Sequence, residues 1–205
     1  MTDFQFSDSD GIELVKMARK VVTEFLKNDS KIHDSEFDSK FDFSSGVFVT
    51  LNKEDELRGC IGYPTPVKKL CDGLVDAAIS AATRDPRFPQ VDTEELDKIT
   101  FEVTVLTSPE EIKVEEHTDY LSEIKVGRDG LIADNGFSSG LLLPQVPTEY
   151  GWDEKEFLEN TCQKAGLHKD AWKEESTIIS KFQGVIFKEE KPNGEIIRES
   201  PKDLL

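Results

Sequence analysis

Between residues 46 and 53 the run GVFVTLNK alternates, with Val47, Val49 and Leu51 on one face and Phe48 and Thr50 on the other, and this period of two predicts a strand. The polar turn NKEDE follows, so LRGCIG from Leu57 reads as the second strand of a hairpin, with Leu57 and Ile61 on one side and Arg58 and Cys60 on the other. ITFEVTVL alternates again and predicts a third strand, with Ile99, Phe101, Val103 and Val105 on one face. A period nearer 3.6 governs residues 1–28, where Leu14, Ala18, Val21, Val22 and Phe25 form one stripe behind a capping-box start at Asp10 with Glu13. It recurs in PVKKLCDGLVDAAISAATRD, whose Val67, Leu70, Cys71, Leu74, Ala78 and Ala81 line one side. The residue before a proline is pushed out of the helical region, so TRDPRFPQV is a loop.

The second half of the chain is less regular. Residues 108–123, SPEEIKVEEHTDYLSE, are acidic and weakly patterned, and read as a connection between two lobes, as NDSKIHDSEFDSK reads as a loop earlier. Asn135-Gly136 between two apolar runs predicts a hairpin. GWDEKEFLENTCQKAGL predicts a helix capped by Asp153 with Glu156 and stopped at Gly166, with Phe157, Leu158, Cys162 and Ala165 buried. TIISKFQGVIFKE predicts a closing strand, and a polar tail follows.

Composition narrows the function classes. The 205 residues carry 42 acids against 25 bases, a formal net charge of −17, which opposes direct binding to nucleic acid because phosphate contacts draw on clustered Lys and Arg. The N-terminus carries acids where a signal peptide carries bases, and no apolar run approaches the roughly 20 residues of a membrane span, so a cytoplasmic protein without membrane insertion is expected. Cys60, Cys71 and Cys162 match no disulfide or zinc spacing and read as reduced thiols. His33, His117 and His168 lie apart, so the expectation is no metal site and no cofactor.

Two stretches, 57–71 and 135–148, hold no acid at all. Strand packing alone accounts for some such clearing, but arginine use points further: of 6 arginines against 19 lysines, Arg58, Arg84 and Arg87 fall within thirty residues. A guanidinium offers a rigid fork for carboxylate or phosphate, whereas Arg84 also suits a helix C-terminus. A guanidinium beside Cys60 lowers a thiol's pKa, the requirement of a nucleophilic cysteine, while a small thiol packed in a strand is the plainer alternative. Gly59 and Gly62 flank the thiol, and strand glycines mark bulges or close approaches.

LRGCIG is the signature of the AMMECR family, and FVTLNKEDELRGCIGYPTP, AAISAATRDPRFPQV, TFEVTVLTSPEEI and VGRDGLIADNGFSSGLLLPQVPTEYGWDEKEFLENTCQKAGL resemble it in the same order. The resemblance implies an α+β protein of two lobes, each a small, mostly antiparallel sheet with helices, separated by a cleft. The larger lobe is then 1–123 with 175–205, and the smaller 124–174. The signature lines the cleft, with Cys60 the candidate catalytic residue. DPRF and PQVPTEYGWD approach it, so that Arg58, Gly59, Gly62, Arg84, Asp85, Arg87, Gln145 and Glu149 are the candidate substrate-binding residues, Pro147 stiffening a loop before Glu149. The family's biochemical activity is not established; its genomic company implies a pathway with Memo-like and radical-SAM proteins. Two functions stay open: a cleft protein for an anionic small molecule or modified substrate acting through Cys60, and a non-catalytic adaptor for a peptide or protein partner.

Overall fold

A computed structural model describes residues 6–32 and 34–199, and the chain divides into two compact units, 6–106 with 185–199 and 107–184. His33 lies outside the described residues. The division differs from the expected one at 123. Ile112 and Tyr120 are buried in the core of the second unit, so the acidic run that reads as a connection is part of that unit. It forms the two-residue strand β4 (Glu110–Glu111) and helix α4 (Tyr120–Glu123), elements too short to leave a period.

In the first unit, α1 (Asp8–Asn28) begins at Ser7, whose hydroxyl accepts from Asp10 N–H while the Asp10 carboxylate accepts from Ser7 N–H, three residues earlier than the expected cap. The next run, expected as a loop, forms α2 (Ser35–Lys40), capped by Asp34 and holding Phe37 in the core. β1 (Gly46–Lys53) runs antiparallel to β2 (Glu56–Tyr63) on one side and β3 (Ile99–Leu106) on the other. Glu54 and Asp55 both take positive φ (54° and 63°), the geometry whose twist suits a tight two-residue hairpin. Val47, Val49, Leu51, Phe101 and Val103 are fully buried beneath α1 and α3 (Leu70–Thr83). Cys71 lies in that core, where burial pushes its thiol pKa up. The polar tail forms a strand after all: β8 (Ile196–Glu199) pairs with the end of β7 (Ile178–Glu189). Glu189 is buried with a cation, as a buried carboxylate requires: Arg19 meets it at 2.6 and 2.5 Å, and Phe101 N–H donates to it at 3.1 Å.

In the second unit, β5 (Asp129–Asp134) pairs antiparallel with β6 (Ser139–Leu142) and with the first half of β7. Asn135-Gly136 does make the turn, but as a four-residue loop. The Asn135 side chain accepts from Phe137 and Ser138 N–H, and Gly136 takes φ +81°. Helix α6 (Glu154–Lys164) has the Asp153–Glu156 box and buries Phe157, Leu158 and Cys162. The loop expected around Pro147 is instead helix α5 (Gln145–Tyr150), with Pro147 buried in its first turn, where a missing N–H goes unnoticed. The whole is α+β and antiparallel. Among the described residues no helix is long and apolar enough to cross a membrane.

Candidate functional site

The register of the hairpin decides what each signature residue faces. Leu51 opposes Gly59 but Asn52 opposes Leu57, so Arg58 is the extra residue of a β-bulge. A bulge breaks the period of two. Leu57 is therefore exposed (41%) instead of sharing a buried side with Ile61, and Arg58 turns away from Cys60. Its guanidinium reaches Glu95 (3.0 and 3.3 Å) and the carbonyls of Pro89 and Gln90 (2.8 and 3.3 Å), with the side chain only 12% exposed. Lys53 joins the same carboxylate at 2.7 Å. Arg58, then Lys53, hold the Glu95 carboxyl at about 2. The expected pairing of Arg58 with the thiol is not what the bulge produces, and Arg58 is committed to tying the 89–95 loop to the hairpin.

Gly59 faces α3. A Cβ there would lie 2.2 Å from the Ala81 carbonyl oxygen, so glycine is the residue that lets helix and strand meet. A Cβ on Gly62 would lie as close to its own hairpin, 2.3 Å from the Val47 carbonyl oxygen.

Cys60 is held by its backbone. Its N–H donates to Asp85 Oδ2 at 2.8 Å, and its carbonyl accepts from Arg87 Nη2 at 3.2 Å. Asp85 is 5% exposed and also accepts from Arg87 through the backbone N–H, Nε and Nη2 (3.0, 3.0 and 2.7 Å). Arg87 first, and the Cys60 N–H after it, hold the Asp85 carboxyl well below the usual carboxylate range against the opposing effect of burial. Asp85 and Arg87 thus clamp the loop after α3 onto β2 at Cys60. The guanidinium nearest the cysteine is that of Arg87, which meets the carbonyl and also acts on the Cys60 side chain.

The half-buried Cys60 side chain points to the other face of the sheet. There its Sγ lies 3.4 Å from Thr50 Oγ1, directly opposite on β1. Thr50 in turn opposes Glu102 on β3. Burial, and then Glu199, push the Glu102 carboxyl upward, against weaker opposing effects of Lys188 and the Thr50 hydroxyl. Thr50, Glu95 and Glu102 are absent from the sequence-derived candidates. Glu102 had a readable signal, being the one charge inside the alternating strand ITFEVTVL.

This chain matches the AMMECR1 family over residues 15–187. The chain belongs to the AMMECR1 family. It is 53% identical over 185 residues to a protein of Methanothermobacter thermautotrophicus, covering 90% of this chain and 96% of that one. It is 50% identical over 190 residues to protein MJ0810 of Methanocaldococcus jannaschii, covering 92% and 94%. Among solved structures it resembles the crystal structure of the uncharacterized protein PH0010 from Pyrococcus horikoshii, with a TM-score of 0.80 and 48% identity over 96% of this chain and 99% of that one.

The remaining candidates divide between the two units of this AMMECR1-family chain. Arg84 is the exposed C-cap of α3, and among the described residues its guanidinium has no ion-pair partner. Gln145 and Glu149 are exposed on α5 of the second unit. Among the described residues no group of three or more His, Cys, Asp or Glu side chains is disposed to hold a metal ion. The other two thiols are buried: Cys162 is fully enclosed and its pKa is pushed up to about 11.

Proposed function

We infer that this AMMECR1-family protein acts through Cys60 as a thiol site for an electrophilic, anionic small molecule or modified substrate. One observation carries the reading. Arg58 is used up by Glu95 and two carbonyls, Gly59 by the approach of α3, and Gly62 by the hairpin itself. Cys60 is the polar side chain of LRGCIG that packing does not consume, half-buried beside a hydroxyl with a carboxyl behind it. Its backbone is fixed on both sides by Asp85 and Arg87, which supports a held reacting group. Arg84, whose guanidinium has no ion-pair partner among the described residues, is a cation available to an anionic ligand, since Arg58 and Arg87 are engaged with carboxylates. In this reading the reaction belongs to a cytoplasmic pathway with Memo-like and radical-SAM proteins, as the family resemblance implies.

The test is intact-mass analysis after exposure to anionic electrophiles of three kinds: an acyl phosphate, a thioester and an α,β-unsaturated carboxylate. One saturable adduct on Cys60, absent from Cys60→Ser at unchanged melting temperature, is the expected result. Labelling no faster than that of a free cysteine peptide would remove Cys60 from the function.

A second reading, a non-catalytic adaptor for a peptide or protein partner, draws on a different feature. Phe137 is 99% exposed at the tip of a hairpin whose turn is fastened by Asp134 and Asn135. Partner capture lost on Phe137→Ser, with Cys60 labelling unchanged, would favour it.

A further inference from the structure

The turn between β5 and β6 gathers three kinds of group around one side chain. Asn135 precedes a glycine, and a glycine nitrogen can close a five-membered ring on the preceding carboxamide carbon, since no Cβ crowds its approach. In this turn the Asn135 Oδ1 accepts from two backbone N–H groups, Phe137 at 3.1 Å and Ser138 at 2.9 Å. Two such donors are what stabilises an oxygen that gains negative charge. Gly136 N–H donates to Asp134 Oδ1 at 2.6 Å, so a carboxylate already holds the proton that the nitrogen must lose. Among the described residues the Asn135 Nδ2 has no hydrogen-bond partner, so the leaving nitrogen is not held back. Gly136 and Phe137 are exposed, and a Cβ on Gly136 would meet open space, so water reaches the turn.

We propose that Asp134, Asn135 and Gly136 form a self-modifying site that converts Asn135 into aspartate or isoaspartate, with water as the co-reactant. The site is independent of Cys60. The Gly136 nitrogen forms a bond to Asn135 Cγ as its N–H proton passes to Asp134, and the π electron pair of the carboxamide moves onto Oδ1, between the Phe137 and Ser138 N–H groups. When this oxyanion collapses, the Cγ–Nδ2 bond breaks and the nitrogen departs as ammonia, carrying the proton that Asp134 returns. A succinimide remains. Water then adds to one of its two carbonyls and the ring opens: attack at Cγ gives aspartate, and attack at the main-chain carbonyl gives isoaspartate. Either product places a negative charge in the stretch 135–148, which holds no acid. Isoaspartate also draws Cβ and Cγ into the main chain, which withdraws the acceptor that fastens the Phe137 and Ser138 N–H groups. The reaction thereby rebuilds the tip that presents Phe137.

The test is peptide mass mapping of the full chain held at neutral pH below its melting temperature, which separates Asn135 from aspartate and isoaspartate as time passes. An unstructured peptide of residues 133–138, which has the same neighbours without the turn, is the reference. The folded chain should convert about 10²-fold faster than the peptide, the lower range for a positioned base. Asp134→Ser keeps an acceptor for Gly136 N–H but removes the carboxylate, and should bring the rate down to that of the peptide. If Asp134→Ser loosens the hairpin, the ratio of the wild-type rate to the peptide rate still decides. Conversion in the wild-type chain no faster than in the peptide, or fast conversion that Asp134→Ser leaves unchanged, overturns the site.

Discussion

Gly59→Ala tests whether the signature's first glycine belongs to the fold. The added Cβ would sit 2.2 Å from the Ala81 carbonyl oxygen and 3.2 Å from its carbon. A tolerable C···O separation is about 3.3 Å, so β2 and α3 must part by roughly 1 Å. Both sides of the contact are backbone, and no side chain can swing aside. Overpacking of this kind costs about 1–3 kcal/mol. The same movement stretches the 2.8 Å bond from Cys60 N–H to Asp85, a hydrogen bond to a charged group worth about 1.5–3 kcal/mol. Together these give a loss of about 2.5–6 kcal/mol, and a fall in melting temperature of about 5–20 °C for a chain of this size. Urea unfolding followed by circular dichroism measures the loss, and an unchanged slope would assign it to the folded state. Gly136→Ala is the comparison, since it meets open space but sits at φ +81°, for a loss of about 1 kcal/mol. If Gly59→Ala loses no more than that, the close approach of α3 is not the reason for the glycine.

Two further outcomes follow from the same geometry. Arg58→Met removes the main cause of the low Glu95 pKa, which lies at about 2 against an ordinary 4.5. A lowered carboxylate contributes stability above its unfolded pKa and loses it as pH falls through the folded one, so the window is about pH 4.5 to 2. The full shift corresponds to about 3 kcal/mol, so the urea midpoints of wild type and variant should differ most near pH 7 and converge only below about pH 2. An equal difference at both ends would mean that Arg58 acts through packing alone. Native alkylation should mark Cys60 well before Cys71 and Cys162, whose thiols burial pushes upward, and all three should react in denaturant. Comparable native labelling of Cys162 would contradict its enclosure behind α6.

The strands at 46–53 and 99–106 and the α6 helix with its Asp153 box were legible because each repeats a local rule over enough residues to leave a period. Elements of two to six residues left none: α2, β4, α4 and α5 fell in stretches read as loop or connection. Their stability comes from what they pack against, and burial of Ile112 or Phe37 is invisible in an acidic run. β8 was hidden for a related reason, its polar residues being held by pairing with β7.

The candidate site divides along the same line. Sequence alone determined that Cys60 lies on a strand between two glycines in an acid-free stretch, because composition and alternation are local properties. Only the tertiary structure decided what Cys60 faces. One extra residue in β2 reverses the direction of Arg58, and chain folding brings Glu95, Asp85 and Glu102 from 25 to 42 residues away to the two faces of the hairpin. Register and loop closure are relations between distant segments, and no window of neighbouring residues contains them.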